Sequence, residues 1–315
     1  MKLSTINKFN LMYDIIGDIH GYADQLEELL KKLGYENGSG YYKHPERKVI
    51  FVGDLIDRGT KIRETLSIVK RMVDENSAMA VMGNHEFNFL CYNTEISPGK
   101  FLRPHTKNNN KQVKQTLLQF KNHENEMNEY LNWFRKLPLY LEIDGIRIVH
   151  ACWEDENIVN LKLEGKIEFS NEFLIRLFSD KSSALYKAVD ETLKGKEMII
   201  PENGYIIDVE GKKRYKSRTK WWLDPNDSTY DEYFFDEIEN QKGNSVKLLN
   251  GTKVKYYNEN SAPVFCGHYW LMGKPDLQTK NVACVDYSVA RENILLAYRW
   301  FGEKELKYEN FVWVK

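Results

Sequence analysis

The sequence predicts an α/β fold, and three observations carry that expectation. Short apolar stretches of strand length alternate with longer ones whose leucines, isoleucines and valines recur at helical spacing. Glycine punctuates the switches. Three of them also carry acid, amide and histidine side chains: Gly17-Asp18-Ile19-His20-Gly21, Gly53-Asp54-Leu55-Ile56-Asp57-Arg58-Gly59 and Gly83-Asn84-His85-Glu86. Strand–helix alternation calls for right-handed crossovers and a mostly parallel sheet. Strand ends at one rim of such a sheet are where open α/β folds bind ligands.

In chain order, Leu11 to Ile16 is an apolar strand, and Tyr22 to Leu33 a helix with Leu26, Leu29, Leu30 and Leu33 on one face, stopped by Gly34. Lys48 to Val52 is the second strand. Ile62, Leu66, Val69 and Val73 mark the next helix, and Ala78 to Met82 the third strand. From Lys111 to Lys136 the pattern is helical and charged until Pro138. Leu139 to Ile143 and Ile146 to His150 flank Asp144-Gly145, the signature of a hairpin with a type I′ turn. Residues 154–261 carry helical stretches (Phe169 to Phe178, Ser182 to Leu193) and a strand at Tyr205 to Val209. The region is too long for a simple loop, so it is expected to be an insertion over the rim. Strands at Pro263 to Cys266, Asn281 to Val285 and Ile294 to Trp300 resume the sheet.

At 315 residues, 42% hydrophobic and 29% charged, the chain has the composition of a soluble globular protein. A net charge of -1 supplies no global field to gather nucleic acid or anionic membrane. Cys91, Cys152, Cys266 and Cys284 form no C-x-x-C pair, which argues against a zinc ribbon or disulfide framework and for buried thiols in a reducing compartment. Met1 to Asn10 lacks the apolar core of a signal peptide, and no run reaches the roughly 20 apolar residues of a membrane span. A cytoplasmic enzyme without a membrane partner is expected.

Aspartate, histidine and asparagine supply the oxygen and imidazole ligands that hold two divalent cations for phosphoester chemistry. Two later histidines, in Ile148-Val149-His150-Ala151 and Phe265-Cys266-Gly267-His268, complete the ligand set. Taken singly, Asp18 reads as a helix cap and His20 as a loop histidine. Together the blocks read as a dinuclear metal phosphoesterase.

These five blocks, in this order, resemble the calcineurin-like metallophosphoesterase superfamily. Asp57-Arg58-Gly59 and Gly83-Asn84-His85-Glu86 are similar to its serine/threonine-phosphatase-like branch. Tyr13 to Gly21 and Leu137-Pro138-Leu139-Tyr140 resemble bacterial diadenosine-tetraphosphatase-like proteins and the phosphatase domain of bacterial polynucleotide kinase-phosphatase. The resemblance covers residues 11–150 well and 262–300 more loosely. It implies a β-sandwich of mixed sheets flanked by helices, one domain over 1–315, with the 154–261 insertion as a cap. It further implies Asp18 and His20 on the first metal, Asp54 bridging, and Asn84, His150 and His268 on the second. His85 becomes the general acid, oriented by Asp57, and Arg58 the clamp on phosphate oxygens. The implied metals are two divalent ions, Mn²⁺ first, with Fe, Ni, Zn and Mg as alternatives. The implied substrates are phosphomonoesters, attacked in line by a metal-held hydroxide. The alternative is cleavage of a nucleotide polyphosphate or a phosphodiester. A silent binding module would have lost a ligand or His85, and none is missing.

Further candidates lie at the edges of the resemblance. Arg218 is either a second phosphate clamp or part of a solvated basic edge. The run Lys212 to Trp222, with Tyr215, Trp221 and Trp222, also has the composition of a platform for single-stranded nucleic acid. Asp286 either orients a metal-bound histidine from outside or caps a turn. Trp153, Tyr269 and Trp270 replace smaller residues of similar proteins and either stack on substrate or pack beneath the insertion. His44, His105 and His123 are expected at the surface.

Overall fold

The computed structural model describes residues 12–201, 203–207, 211–244 and 254–315. Residues 1–10, the first residue of the Leu11–Ile16 strand and the end of the Tyr205–Val209 strand lie outside them. The core is two facing sheets. In the first, β1 (Met12–Ile16), β2 (Arg47–Phe51) and β3 (Ala78–Ala80) run parallel, and β8 (Leu295–Trp300) and β9 (Phe311–Val314) add antiparallel on the other side of β1. The second takes the order β7 (Val282–Cys284), β6 (Val264–Cys266), β5 (Ile146–Val149), β4 (Tyr140–Ile143). Its first three strands are parallel, and β4 pairs antiparallel with β5 through the expected hairpin.

The single, mostly parallel sheet read from strand–helix alternation is therefore corrected to two mixed sheets, as the resemblance implied. β7 does not rejoin the sheet of β8: it pairs with β6 in the second sheet. Period-two patterning explains why two layers form. Tyr13 and Ile15 turn into a shared core with Ile50, Ile146, Ile148 and Phe265, whereas Ile16, Val49 and Phe51 turn out toward the helices. Leu26, Leu29 and Leu30 of α1 (Ala23–Lys32) and Leu66 and Val69 of α2 (Ile62–Asp74) cover that outer face. Burying each such side chain contributes about 1.5–3 kcal/mol.

Asp14 shares the outer face with these leucines and is fully buried. It accepts from Arg47 (2.9 Å), Arg299 (3.1 Å) and Tyr35 (3.0 Å), and Arg47 also donates to the carbonyls of Tyr13 and Trp300. One buried ion pair thus joins β1, β2 and β8.

The charged stretch from Lys111 to Lys136 is two helices, Lys107–Gln119 and Glu124–Phe134, rather than one. Asn122, at φ 65°, makes the left-handed break. Helices Asp155–Glu164, Asn171–Ser179 and Ala184–Lys194 open the insertion, and their Leu161, Leu174 and Ala188 join the same core as Phe87. Two small hairpins follow: Glu197–Ile199 with Lys216–Arg218, and Ile206–Ile207 with Lys213–Arg214. Among the described residues no helix is long and apolar enough to cross a membrane.

Candidate metal centre

All six parallel strands deliver their C-terminal ends to one rim. β1 leads to Asp18 and His20, β2 to Asp54, Asp57 and Arg58, and β3 to the N-terminus of α3 (Asn84–Tyr92). On the second sheet β5 leads to His150, β6 to His268 and β7 to Asp286. His20, Asp54, Asp57, Arg58 and His268 all hold positive φ, between 50° and 75°. Left-handed backbone at side-chain-bearing residues is costly and collects at functional sites.

Two buried donor clusters result, His20–Asp54–His85 and Asp54–His150–His268, and Asp54 belongs to both. His20 Nε2 lies 3.7 Å and His85 Nε2 3.8 Å from Asp54 Oδ2, and His150 Nε2 lies 3.4 Å from Asp54 Oδ1. Asn84 Oδ1 is 2.9 Å from His150 Nε2 and 2.8 Å from His268 Nδ1. Asp18 stands just outside both clusters, where its carboxylate accepts the His268 backbone N–H.

The donor set fits divalent cations. His20 Nδ1 donates to the Ile56 carbonyl and His150 Nδ1 to that of Val52, each at 2.8 Å, so in the neutral tautomer both Nε2 lone pairs face inward. His20 Nε2 is buried with no hydrogen-bond partner. His150 Nε2 meets only the oxygens of Asn84 and Asp54. At His20 such a buried, unpartnered acceptor is what a cation relieves; at His150 burial opposes a proton, while the Asp54 charge also favours one.

The electrostatics agree. Burial, then the charges of Asp286 and Asp54, push the Asp18 carboxyl well above the usual range. Burial also opposes ionisation of Asp54, but the surrounding His150, His85 and His20 outweigh it and hold that carboxyl far below its ordinary value. Burial depresses His20 to about 3, with His85 adding to the effect, so its imidazole stays neutral and free to ligate. Burial opposes protonation of His85 as well, yet Asp54 and Asp57 win and raise it.

Beside the clusters, His85 Nδ1 sits 2.6 Å from Asp57 Oδ2, and Asp57 is itself held by the Thr116 hydroxyl. His85 directly follows Asn84, whose amide oxygen faces His150 and His268. The structure brings His85 Nε2 into the His20–Asp54 cluster, because α3 begins at Asn84 and the His85 N–H donates to Asp54 Oδ1 (2.9 Å).

Asp286 contacts backbone: its oxygens accept the N–H groups of Trp270 (2.8 Å) and Ser288 (2.9 Å), the turn-capping arrangement of the two weighed above. Arg218 comes close, 3.1 Å from His268 Nε2. With Asn84, His268 and Trp270 it lines a groove of about 820 Å³ that extends along the hairpins of the insertion past Lys213 and Lys216.

Trp221 and Trp222 are buried, as are Trp153 and Tyr269, and Tyr269 stacks on Phe235. A nucleic-acid platform therefore loses both tryptophans, and of the three bulky rim aromatics only Trp270 remains half-exposed. Of the leftover histidines, His105 and His123 are exposed, and His44 is half-buried against Tyr35.

Sequence reasoning assigned no role to Glu86. Its buried carboxylate accepts the backbone N–H groups of Asp54 (2.9 Å), Leu55 (2.8 Å), Ile56 (3.3 Å) and Gly83 (3.0 Å). It fixes the loop that carries Asp54 to the loop that carries Asn84. The available signal was an acid three residues into a helix whose cap is glycine, the position from which a side chain reaches back to backbone amides.

A family model described as calcineurin-like phosphoesterase matches residues 13–268. The chain is 49% identical over 76 residues to the asymmetrical bis(5'-nucleosyl)-tetraphosphatase PrpE of Halalkalibacterium halodurans, covering 24% of this chain and 31% of that protein. It is 32% identical over 139 residues to the protein of the same name from Oceanobacillus iheyensis, covering 44% and 54%. It thus spans about half or less of the length of these relatives. In fold it is similar to a serine/threonine phosphatase of Saccharomyces cerevisiae, with a TM-score of 0.50 and 15% identity over 98% of this chain and 80% of that one.

Proposed function

The chain belongs to the calcineurin-like phosphoesterase family, and on that premise we propose that it hydrolyses phosphoester bonds, phosphomonoesters first, at a centre of two divalent cations. The observation that carries this reading is Asp54 shared between two buried donor clusters, one of which includes the His85 that Asp57 holds. In this reading Asp54 bridges, Asp18 and His20 complete the first site, and Asn84, His150 and His268 complete the second. Mn²⁺ heads the candidates, since a mixed imidazole, carboxylate and amide set suits a transition metal. When bound, the cations supply Lewis acidity toward phosphate oxygens and an activated water.

The chain's own groups do the rest. Asp57 holds His85 Nδ1, so Nε2 faces the centre, and the charges of Asp54 and Asp57 keep a proton available there for the leaving oxygen. Arg58 offers a planar fork to the non-bridging oxygens, and Arg218 approaches from the side of His268. Residues 154–261 act as a cap that selects substrate, supported by the groove that their hairpins share with Asn84 and His268. A cytoplasmic setting suits four free, buried cysteines.

Nucleotide polyphosphates are the second reading, favoured by the names of the similar bacterial proteins. The test is hydrolysis by metal-replete protein of p-nitrophenyl phosphate, its bis ester, diadenosine tetraphosphate, a phosphoserine peptide and phosphate-ended oligonucleotides. Turnover of the monoesters is expected. Absence of turnover on the whole panel overturns the assignment.

A further inference from the structure

We propose that Trp270 and Arg291 build a second anion subsite beside the metal centre, so that favoured substrates carry a further phosphate next to the one attacked. This rests on the phosphoesterase reading above and, of the two substrate classes weighed there, favours condensed phosphates over simple monoesters.

Three guanidinium groups gather on the Trp270 indole, with their carbons 4.8 Å (Arg58), 4.9 Å (Arg291) and 5.7 Å (Arg218) from the ring centroid. They arrive from three separate stretches: the loop after β2, the strand Lys216–Arg218 and the short helix Val289–Glu292. Arg58 acts electrostatically on His20 and His85, and Arg218 on His268, so these two border the donor clusters. Arg291 is exposed and is the third charge on the same ring. Among the described residues none of the three pairs with a carboxylate: Arg218 reaches only His268 Nε2, and Arg58 Nε is buried without a partner. Three cations converging on one aromatic surface repel one another and leave N–H donors free. An oxyanion answers both.

The arrangement is built rather than incidental. Trp270 holds φ 48° and is kept there by its N–H donating to Asp286. The same carboxylate accepts from Ser288, the residue that caps the helix bearing Arg291. One buried acid therefore sets both the ring and the arginine beyond it. Arg58 is committed to the phosphate at the centre, so Arg291 is left for another. A simple monoester offers Arg291 nothing, whereas a condensed phosphate chain, free or capped by nucleosides, reaches both.

The test is calorimetric titration of chelator-treated, metal-free protein with orthophosphate, tripolyphosphate and diadenosine tetraphosphate. Arg291→Ala should weaken tripolyphosphate binding roughly tenfold, the scale of one charge-assisted hydrogen bond, and orthophosphate binding clearly less. Arg291→Lys should recover part of the difference, because it restores charge without the fork. Trp270→Leu should narrow the same gap. A loss shared by diadenosine tetraphosphate supports nucleoside-capped chains as the source, and a loss confined to tripolyphosphate supports free chains. Equal losses for orthophosphate and tripolyphosphate, or no loss, overturn the subsite. Binding is read without turnover, so failure of the hydrolysis panel counts against the phosphoesterase reading separately.

Discussion

His85 is the residue whose role divides chemistry from metal binding. Its Nδ1 is taken by Asp57, and its Nε2 shares a cluster with His20 and Asp54. As general acid it predicts that His85→Ala keeps both metals and loses roughly 10²–10⁴-fold in turnover. The loss should be much smaller on p-nitrophenyl phosphate, whose leaving group departs unprotonated, than on an alkyl phosphate. Metal analysis beside the two rates checks this, and a variant that drops a metal is instead missing a ligand. Glu86 supports a different test. Burial, then the charge of Asp54, raises its carboxyl to about 7. The folded apoprotein therefore holds a proton that the unfolded chain releases near its ordinary value of 4.5. That contribution is present at low pH and is lost as pH rises from about 4.5 to about 7. Thermal unfolding of metal-free protein should show this falling component, and Glu86→Gln should remove it. The variant should also be about 1–3 kcal/mol less stable, because an amide nitrogen then faces backbone donors.

At the scale of elements, loop-to-loop contact decides whether the centre forms. A Cβ at Gly83 would fall on the backbone nitrogen and the carboxylate of Asp54, and within 2.7 Å of Glu86 Oε2. The nearest of these atoms is backbone, and both carboxylates are pinned by backbone N–H groups, so neither can move aside freely. Gly83→Ala should therefore leave far-ultraviolet circular dichroism native while metal content and activity collapse. Retained binding of two metals would show that the loops can part. Much of this level was legible. Asp144 and Gly145 take φ 47° and 86°, as the expected hairpin turn requires, and β1 to β3 with α1 and α2 lie where apolar spacing placed them. The break at Asn122 was hidden, because both flanking segments share one charged, helical pattern.

Across the whole molecule, two buried charge systems are separable. Asp14 and Arg47 lie on the helix-facing side of the first sheet, with Asp14 fully buried. Asp14→Ala leaves a buried guanidinium unpaired and should cost about 3–5 kcal/mol in urea unfolding, with metal content unchanged in the folded fraction. The centre at the rim behaves differently, since Asp18, Asp54 and Asp286 are all buried and mutually repelling. Chelation should abolish hydrolysis and lower the melting temperature. Saturating metal, at about 100 times its dissociation constant, returns about 2.7 kcal/mol. Mn²⁺ should restore activity better than Ca²⁺, which prefers more oxygens in a looser shell. Full activity in demetallated protein would sink the metal assignment.

The sequence by itself determined the strand-end loops and the donors they carry, because residue type, glycine spacing and period-two patterning act over a few neighbours. Only the tertiary structure decided which strands share a sheet, and hence that His150 and His268 meet Asn84 from far along the chain. It also decided that Glu86 gathers four amides, that Asp286 serves backbone, and that three arginines collect on Trp270. These contacts join segments tens to hundreds of residues apart. They depend on how two sheets pack, which no local pattern encodes.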